Sequence, residues 1–193
     1  MAPQNIRAIY GIPPSLPSLT DSVLVLIDTQ GEYAHGLLKV EKAAETRAVI
    51  KGLLDRYRAA GPNSVVHVAQ ANREGAPVFT PGTPLADILP ELTPTDSEPV
   101  VYKRHATAFT GTTFQQELDK ISKKKLVVVG YMAHNCVSAT VRAAAELGYD
   151  VYAVRDAVGD RDLPGATAEE LVRVSLIELA DVVATIIDSK DVQ

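Results

Sequence analysis

Six short apolar runs, none of which alternates polar and apolar residues, constrain the fold of this chain more than any other feature. They span residues 23–27, 64–69, 99–102, 126–129, 151–154 and 182–187. A strand with one solvent-facing side alternates polar and apolar residues, whereas a continuous apolar strand is typical of a parallel sheet that is covered on both faces. The runs therefore predict a mostly parallel, six-stranded sheet.

Longer stretches with helical spacing of apolar residues separate these runs. They span residues 40–60, 113–121, 135–147 and 166–180, and glycine follows the first and third of them. Strands that alternate with helices predict a doubly wound, Rossmann-like α/β fold with helices on both faces of the sheet. We see no repeat and no boundary, so we expect a single domain over residues 1–193 that begins with an N-terminal extension, residues 1–20.

Charge and cysteine content limit the partners and the compartment. The net charge of −5 offers no basic surface for nucleic acid or for an anionic membrane, which leaves a small molecule as the expected partner. The single cysteine suits a reducing compartment. Residues 1–20 are rich in proline and lack the apolar core of a signal peptide. These features predict a cytoplasmic protein, although a non-standard export route leaves no such pattern.

Three reactive side chains fall where strands of the predicted sheet end. Asp28 ends the first strand, Lys103 follows the third, and Cys136 lies at the start of the helix after the fourth. In open α/β sheets the site lies at this carboxyl edge. Taken one at a time, each residue has a structural interpretation: Asp28 could cap a turn, Lys103 could be a surface lysine, and Cys136 could be a small residue of the core. Together they favour a catalytic site, in which a helix N-terminus would lower the pKa of the thiol.

The motifs around these residues resemble those of one family. Residues 127–137, which include the run Gly-Tyr-Met-Ala-His-Asn-Cys, resemble the nucleophile turn of the isochorismatase-like hydrolases. Asp28-Thr29-Gln30 is similar to the Asp-x-Gln signature of that family, and residues 103–112 resemble its lysine segment. The motifs follow the order and spacing of the family, and the resemblance covers roughly residues 20–188.

This resemblance implies roles for the three side chains. Cys136 would attack an electrophilic carbon, Asp28 would take the thiol proton and later activate water, and Lys103 would hold Asp28 and stabilise developing charge. It also implies a cis peptide between Tyr131 and Met132, and an oxyanion hole formed by the N–H groups of Met132 and Cys136.

Further residues near the expected site are candidates for substrate binding. They are Gln30, Tyr33, Phe109 and Tyr131. Tyr33 is equally well read as a packed loop residue. The irregular, proline-rich segment 70–98 is long for a compact domain, which points to a role in specificity or at an interface. We interpret Asp160, after the fifth strand, as a turn former.

The metal-binding branch of the family does not match this chain. Nicotinamidases carry an aspartate and several histidines as metal ligands between the first and third strands. Here that interval contains only His35, expected in a loop, and His67, expected in the core. We therefore expect neither a metal ion nor another cofactor.

These features together predict a metal-free hydrolase that cleaves a C–N bond of a small amide or ureido compound through a thioester. The alternative within the family is hydrolysis of the vinyl ether of isochorismate. An alternative from another class is a non-catalytic scaffold that keeps the family fold. The apolar last helix and the proline-rich segment, together with the habit of the family, predict a homo-oligomer, either a dimer or a tetramer.

The metal expectation can be tested directly. We expect activity to survive exhaustive treatment with EDTA, because no ligand spacing for zinc or iron is present. Elemental analysis of the purified protein should find no stoichiometric metal. Stoichiometric zinc or iron that is lost together with activity would contradict this prediction.

Overall fold

The sheet has six strands, and the computed structural model describes them within residues 3–13 and 15–193. The strands are β1 (Ser22–Ile27), β2 (Val65–Gln70), β3 (Val100–Lys103), β4 (Lys125–Tyr131), β5 (Asp150–Gly159) and β6 (Ala184–Ile187). Their order is β3-β2-β1-β4-β5-β6, and every neighbouring pair is parallel. All six apolar runs therefore form strands, and the predicted α/β class is confirmed.

Helices connect the strands. They are α1 (Ile6–Ile9), α2 (Gly31–His35), α3 (Ala43–Ala60), α4 (Phe114–Ile121), α5 (Ser138–Glu146) and α6 (Ala168–Val182). The helix predicted from residue 135 begins instead as a π-helical turn, Ala133–Val137, which continues into α5. α6 begins at Ala168 because Thr167 and Glu170 form a capping box that satisfies the first backbone N–H groups. Within the described residues no helix is long and apolar enough to span a bilayer.

Apolar side chains of β1 supply both faces of the sheet, which explains why its sequence does not alternate. Val23, Val25 and Ile27 belong to a buried cluster that includes side chains of α4, α5 and α6. Leu24 and Leu26 point to the opposite face and belong to a second cluster built around α3. The helices therefore cover both faces, as predicted for a continuous apolar strand.

The second half of the predicted N-terminal extension forms hydrogen bonds with the rest of the domain. The Leu19 N–H donates to the carbonyl of Gln193 at 2.7 Å, and the Gln193 N–H donates to the carbonyl of Pro17 at 3.0 Å. The hydroxyl of Ser15 contacts Tyr152 on β5. These bonds join the two ends of the described chain at the sheet.

The chain changes direction across the sheet between β1 and β4. From β1 it proceeds outwards through β2 to β3, whereas from β4 it proceeds through β5 to β6. Ligand sites in open parallel sheets lie at the carboxyl ends of the strands at such a switch point. The fold therefore places the candidate site beyond Ile27 and Tyr131, the last residues of β1 and β4.

Gly130 allows β1 and β4 to lie side by side next to this point. Its φ is +113°, and the β4–β5 register shifts between Val128 and Gly130. A Cβ atom at Gly130 would overlap the backbone of Ile27, which cannot withdraw without breaking the central strand pair. Glycine is required here both for its conformation and for its lack of a side chain.

We expect Gly130→Ala to lower the free energy of unfolding by at least about 3 kcal/mol, because it combines backbone strain with a steric clash. Urea titration followed by circular dichroism would measure the change. Gly52→Ala is the matched control, since a Cβ there meets no atom within 4 Å on helix α3. It should stabilise the protein by about 0.5–1 kcal/mol. Equal stabilities of the two variants would contradict this account of Gly130.

Candidate active site

Asp28, Lys103 and Cys136 meet at the carboxyl edge of the sheet. The Lys103 Nζ atom lies 2.8 Å from Asp28 Oδ2 and 3.2 Å from Cys136 Sγ. Both charged side chains are fully buried, and the thiol residue is 4% exposed. Asp28 has a φ of +49°, a backbone conformation that non-glycine residues rarely adopt and that is found at functional sites. The structure thus brings together the three side chains that the sequence placed at strand ends.

Gln70 fixes the ammonium group of Lys103 from the side. Lys103 Nζ donates to Gln70 Oε1 at 2.7 Å and to the backbone carbonyl of His105 at 3.2 Å. The Gln70 amide in turn donates to Asn72 Oδ1 at 2.8 Å. Sequence reasoning missed Gln70, although its position as the last residue of β2 placed it at the same edge as the other three.

Burial dominates the electrostatics of the site. It raises the pKa of Asp28, and the neighbouring Lys103 ammonium opposes this effect without cancelling it. Burial alone would lower the pKa of Lys103, but Asp28 and Cys136 together raise it above its ordinary value. Lys103 therefore stays charged, and Asp28 becomes a carboxyl group that can hold a proton nearer neutral pH than an exposed aspartate.

The Cys136 thiol is not activated at rest, contrary to the expectation from a helix N-terminus. Burial and the adjacent Asp28 carboxyl raise the pKa of Cys136 to about 12, which outweighs the opposing effect of Lys103. The expectation was wrong because the cysteine is the fourth residue of a π-helical turn and its side chain is almost fully buried. The Asp28 carboxyl group lies close enough to the thiol to raise its pKa, so Asp28 is the group to which the thiol proton would pass.

The nucleophile turn has the backbone geometry implied by the resemblance. The peptide between Tyr131 and Met132 is cis. The N–H groups of Asn135 and Val137 donate to the Met132 carbonyl at 3.1 and 3.2 Å, which holds the turn closed. Met132 and Cys136 both line the cavity described below. Their role as oxyanion donors stays a prediction.

A cavity of about 290 Å³ opens beside Cys136. Its apolar wall includes Tyr33, Leu38, Val78, Phe79 and Met132, and its polar wall includes Asn72, Arg104, His105 and Asn135. Part of the irregular segment 70–98 therefore contributes to the site. A larger groove of about 1000 Å³ lies between α3 and α6, but it contains none of the three reactive side chains, so we assign the site to the smaller cavity.

Of the four candidates for substrate binding, only Tyr33 lines this cavity. Its ring packs against Phe79 and Tyr131, with centroid distances of 5.2 and 5.6 Å. Burial and the nearby Asp28 and Cys136 raise the pKa of the Tyr33 hydroxyl, so it remains a neutral hydrogen-bond donor.

The structure places Gln30, Phe109 and Tyr131 elsewhere. The Gln30 amide donates to the carbonyls of two residues of segment 70–98 and accepts from a third backbone group, which ties that segment to β1. Phe109 packs in the core, 4.8 Å from the ring of Phe114. Tyr131 is fully buried beneath Tyr33, and its hydroxyl lies 2.8 Å from the Thr46 hydroxyl. Proximity in sequence suggested contact with substrate, but the side chains of all three are engaged in contacts away from the cavity.

Asp160 anchors the start of the nucleophile turn and is more than a turn former. Its buried carboxylate accepts from the His134 backbone N–H at 3.0 Å and lies 2.7 Å from His134 Nδ1. It also accepts from the Arg161 backbone N–H at 2.9 Å. The signal available in the sequence was its position after the fifth strand, at the same edge of the sheet.

The two histidines of the interval between the first and third strands lie apart from the site. His67 is buried in β2 and lies 3.2 Å from a carboxylate oxygen of Glu98, as expected for a core residue. His35 is the exposed last residue of α2, where a loop was expected. In the part of the chain that the structure describes, no group of three or more His, Cys, Asp or Glu side chains is arranged to hold a metal ion. The absence of a metal stays a prediction.

The thiol environment leads to a pH prediction. We expect the rate of Cys136 alkylation by iodoacetamide to rise about tenfold per pH unit between pH 7 and pH 9.5, because only the thiolate reacts and its pKa is about 12. Mass spectrometry can follow the reaction at this single cysteine, with Cys136→Ala as the blank. A rate that levels off near neutral pH would show an activated thiolate and contradict the prediction.

Two known proteins resemble this chain over nearly its full length, and a third resembles about three quarters of it. A crystal structure of an isochorismatase from Pseudomonas putida matches with a TM-score of 0.93 and 30% identity, and the match covers 100% of both chains. The secreted isochorismatase effector Isc1 of Verticillium dahliae is 52% identical over 97% of this chain and 98% of its own length. A streptothricin hydrolase from Streptomyces noursei is 35% identical over 74% of this chain and 51% of its own length.

The Verticillium relative overturns the expected cytoplasmic localisation, because it is a secreted protein of nearly the same length. The lone cysteine was a poor guide to the compartment. Cys136 is buried in the site, so it can remain reduced in any compartment without a disulfide partner. The lack of a signal pattern excluded only one of the possible export routes.

The family model for the isochorismatase domain matches residues 22–191, which is nearly the whole sheet with its helices and all three reactive side chains. This match agrees with the full-length relatives and with the geometry at the carboxyl edge. The chain therefore belongs to the isochorismatase-like hydrolase family.

Proposed function

We propose that this protein hydrolyses the vinyl ether of isochorismate to 2,3-dihydroxy-2,3-dihydrobenzoate and pyruvate. The observation that carries the proposal is the 52% identity, across nearly the full length of both proteins, with a relative described as a secreted isochorismatase effector. The same relative supports secretion of this protein.

The environment of Asp28 supports the chemistry. Hydrolysis of a vinyl ether starts when an acid protonates the terminal alkene carbon, and a buried aspartate with a raised pKa is such an acid. The C=C electrons form the new C–H bond and leave an oxocarbenium ion. Water adds to that carbon and returns a proton to Asp28. The hemiketal then collapses: its hydroxyl oxygen forms the C=O bond of pyruvate, the C–O bond to the ring breaks, and the hydroxyl proton passes to the ring oxygen, which leaves as part of the diol.

Lys103 completes this cycle without reacting. When Asp28 gives up its proton, a fully buried carboxylate is left. The Lys103 ammonium, 2.8 Å away and held by Gln70, stabilises that carboxylate. The cavity volume of about 290 Å³ suits a substrate with a single ring.

A second candidate is hydrolysis of a C–N bond in a small amide or ureido compound. The position of the thiol favours it, since Cys136 Sγ lies 3.2 Å from the Lys103 ammonium and close enough to Asp28 for that carboxyl group to raise its pKa. Asp28 would take the thiol proton as sulfur attacks the carbonyl carbon. The amine would leave with that proton, and water would hydrolyse the thioester.

A non-catalytic scaffold is a poorer account of this site. Burying a lysine and an aspartate costs several kcal/mol per ion in desolvation, which their attraction repays only in part. Apolar residues of similar size would serve a scaffold at least as well. The buried pair Asp28–Lys103 therefore supports a chemical role.

Two variants separate the candidate chemistries. We expect Asp28→Asn to lower kcat for isochorismate by about 10³-fold, because the amide cannot supply the proton. Cys136→Ala should retain isochorismate turnover within about tenfold, since protonation of the alkene needs no sulfur. Pyruvate release, coupled to lactate dehydrogenase, measures both variants.

The remaining outcomes decide against this proposal. Turnover of a small amide or ureide by the wild type, with a trapped thioester and complete loss in Cys136→Ala, would favour the second candidate. No turnover of isochorismate or of any compound in an amide panel would favour the scaffold.

A further inference from the structure

The cavity beside Cys136 has a guanidinium group at its mouth that pairs with no carboxylate of residues 3–13 and 15–193. Arg104 is exposed and lines the cavity. Among the residues that the structure describes, no side chain or carbonyl forms a hydrogen bond or an ion pair with its guanidinium. The cavity lining includes no aspartate or glutamate. Asp28 lies beneath the lining, fully buried and paired with Lys103.

The backbone that carries Arg104 is tied to the reactive centre. Lys103 is the preceding residue, and its ammonium donates to the carbonyl of His105, the following residue, at 3.2 Å. The same ammonium contacts Asp28 and Cys136. Arg104 is therefore held by its backbone at the edge of the cavity, and its exposed side chain lines that cavity.

Two other arginines, the exposed Arg155 and the partly buried Arg142, show what a structural role looks like in this protein. Arg155 pairs with Asp188 at 3.0 Å, and Arg142 lies 3.5 Å from Glu178. Both pairs join neighbouring elements of the fold. Arg104 makes no such link, so its removal should leave the fold intact and change only the charge at the cavity mouth.

We propose that Arg104 selects anionic substrates by binding a carboxylate of the molecule whose reacting carbon lies beside Asp28 and Cys136. This inference rests on the proposed function in that isochorismate carries two carboxylates, and it extends to any small carboxylate that this site takes. A guanidinium matches a carboxylate with two parallel hydrogen bonds. Water screens the exposed pair, so the expected selection is moderate.

The single cysteine allows a test that does not depend on the substrate. Iodoacetate and iodoacetamide both alkylate a thiolate with loss of iodide, and only iodoacetate carries a negative charge. We expect Arg104→Gln to slow Cys136 alkylation by iodoacetate about three- to tenfold and to leave the rate with iodoacetamide within about twofold. Raising the salt concentration should bring the wild-type ratio of the iodoacetate rate to the iodoacetamide rate towards the ratio of the variant.

Arg73→Gln is the matched control. Arg73 is exposed and follows the cavity residue Asn72, but it does not itself line the cavity. This variant removes the same net charge and should change neither rate. Three results would overturn the inference. The ratio of the iodoacetate rate to the iodoacetamide rate could be unchanged in Arg104→Gln, it could fall equally in Arg73→Gln, or neither reagent could reach Cys136.

Turnover assays keep this inference distinct from the proposed function. If the wild type hydrolyses isochorismate, Arg104→Gln should raise KM about tenfold and leave kcat within about twofold, because the carboxylate contact is present before and during the reaction. An unchanged KM in that case would contradict the proposed role of Arg104 without contradicting the proposed isochorismatase function. If isochorismate is not a substrate, the ratio of the iodoacetate rate to the iodoacetamide rate still tests whether Arg104 selects anionic molecules.

Discussion

The buried ion pair between Asp28 and Lys103 is the constraint on which the rest of the site depends. The two residues come from β1 and β3, which are separated by β2, so the long lysine side chain must cross a strand to reach its partner. Neither charge could remain buried alone. The carboxyl edge must therefore hold this pair together. Three features contribute to this: the register of three parallel strands, the Gln70 contact and the close approach at Gly130.

Proton transfer through Asp28 is common to both chemistries that the site can support. In one the carboxyl group protonates an alkene carbon, and in the other it removes the proton of a thiol with a pKa of about 12. Both leave Lys103 charged and in place. A small change in the groups around the cavity can therefore redirect the site without altering its proton carrier, which is how one fold accommodates different reactions.

The rigid sheet and the irregular segment 70–98 contribute different parts of the site. The sheet holds the reactive side chains, whereas the segment provides part of the cavity wall, including Asn72, Val78 and Phe79. Gln30 secures the segment to β1 through three backbone contacts, which explains why a residue of the Asp-x-Gln signature lies away from the cavity. Its side chain positions the segment that forms the wall.

The parallel sheet and the meeting of Asp28, Lys103 and Cys136 could be predicted from the amino-acid sequence, because continuous apolar runs form buried strands whose carboxyl ends share one edge. The surroundings of these three side chains could be found only from the folded structure. The raised pKa of Cys136, the Gln70 and Asp160 contacts and the position of Arg104 at the cavity depend on burial and on residues remote in the chain. The spacing of apolar residues in a local sequence predicts a strand. It does not show from which side chains water is excluded, or which side chain of another strand lies next to them.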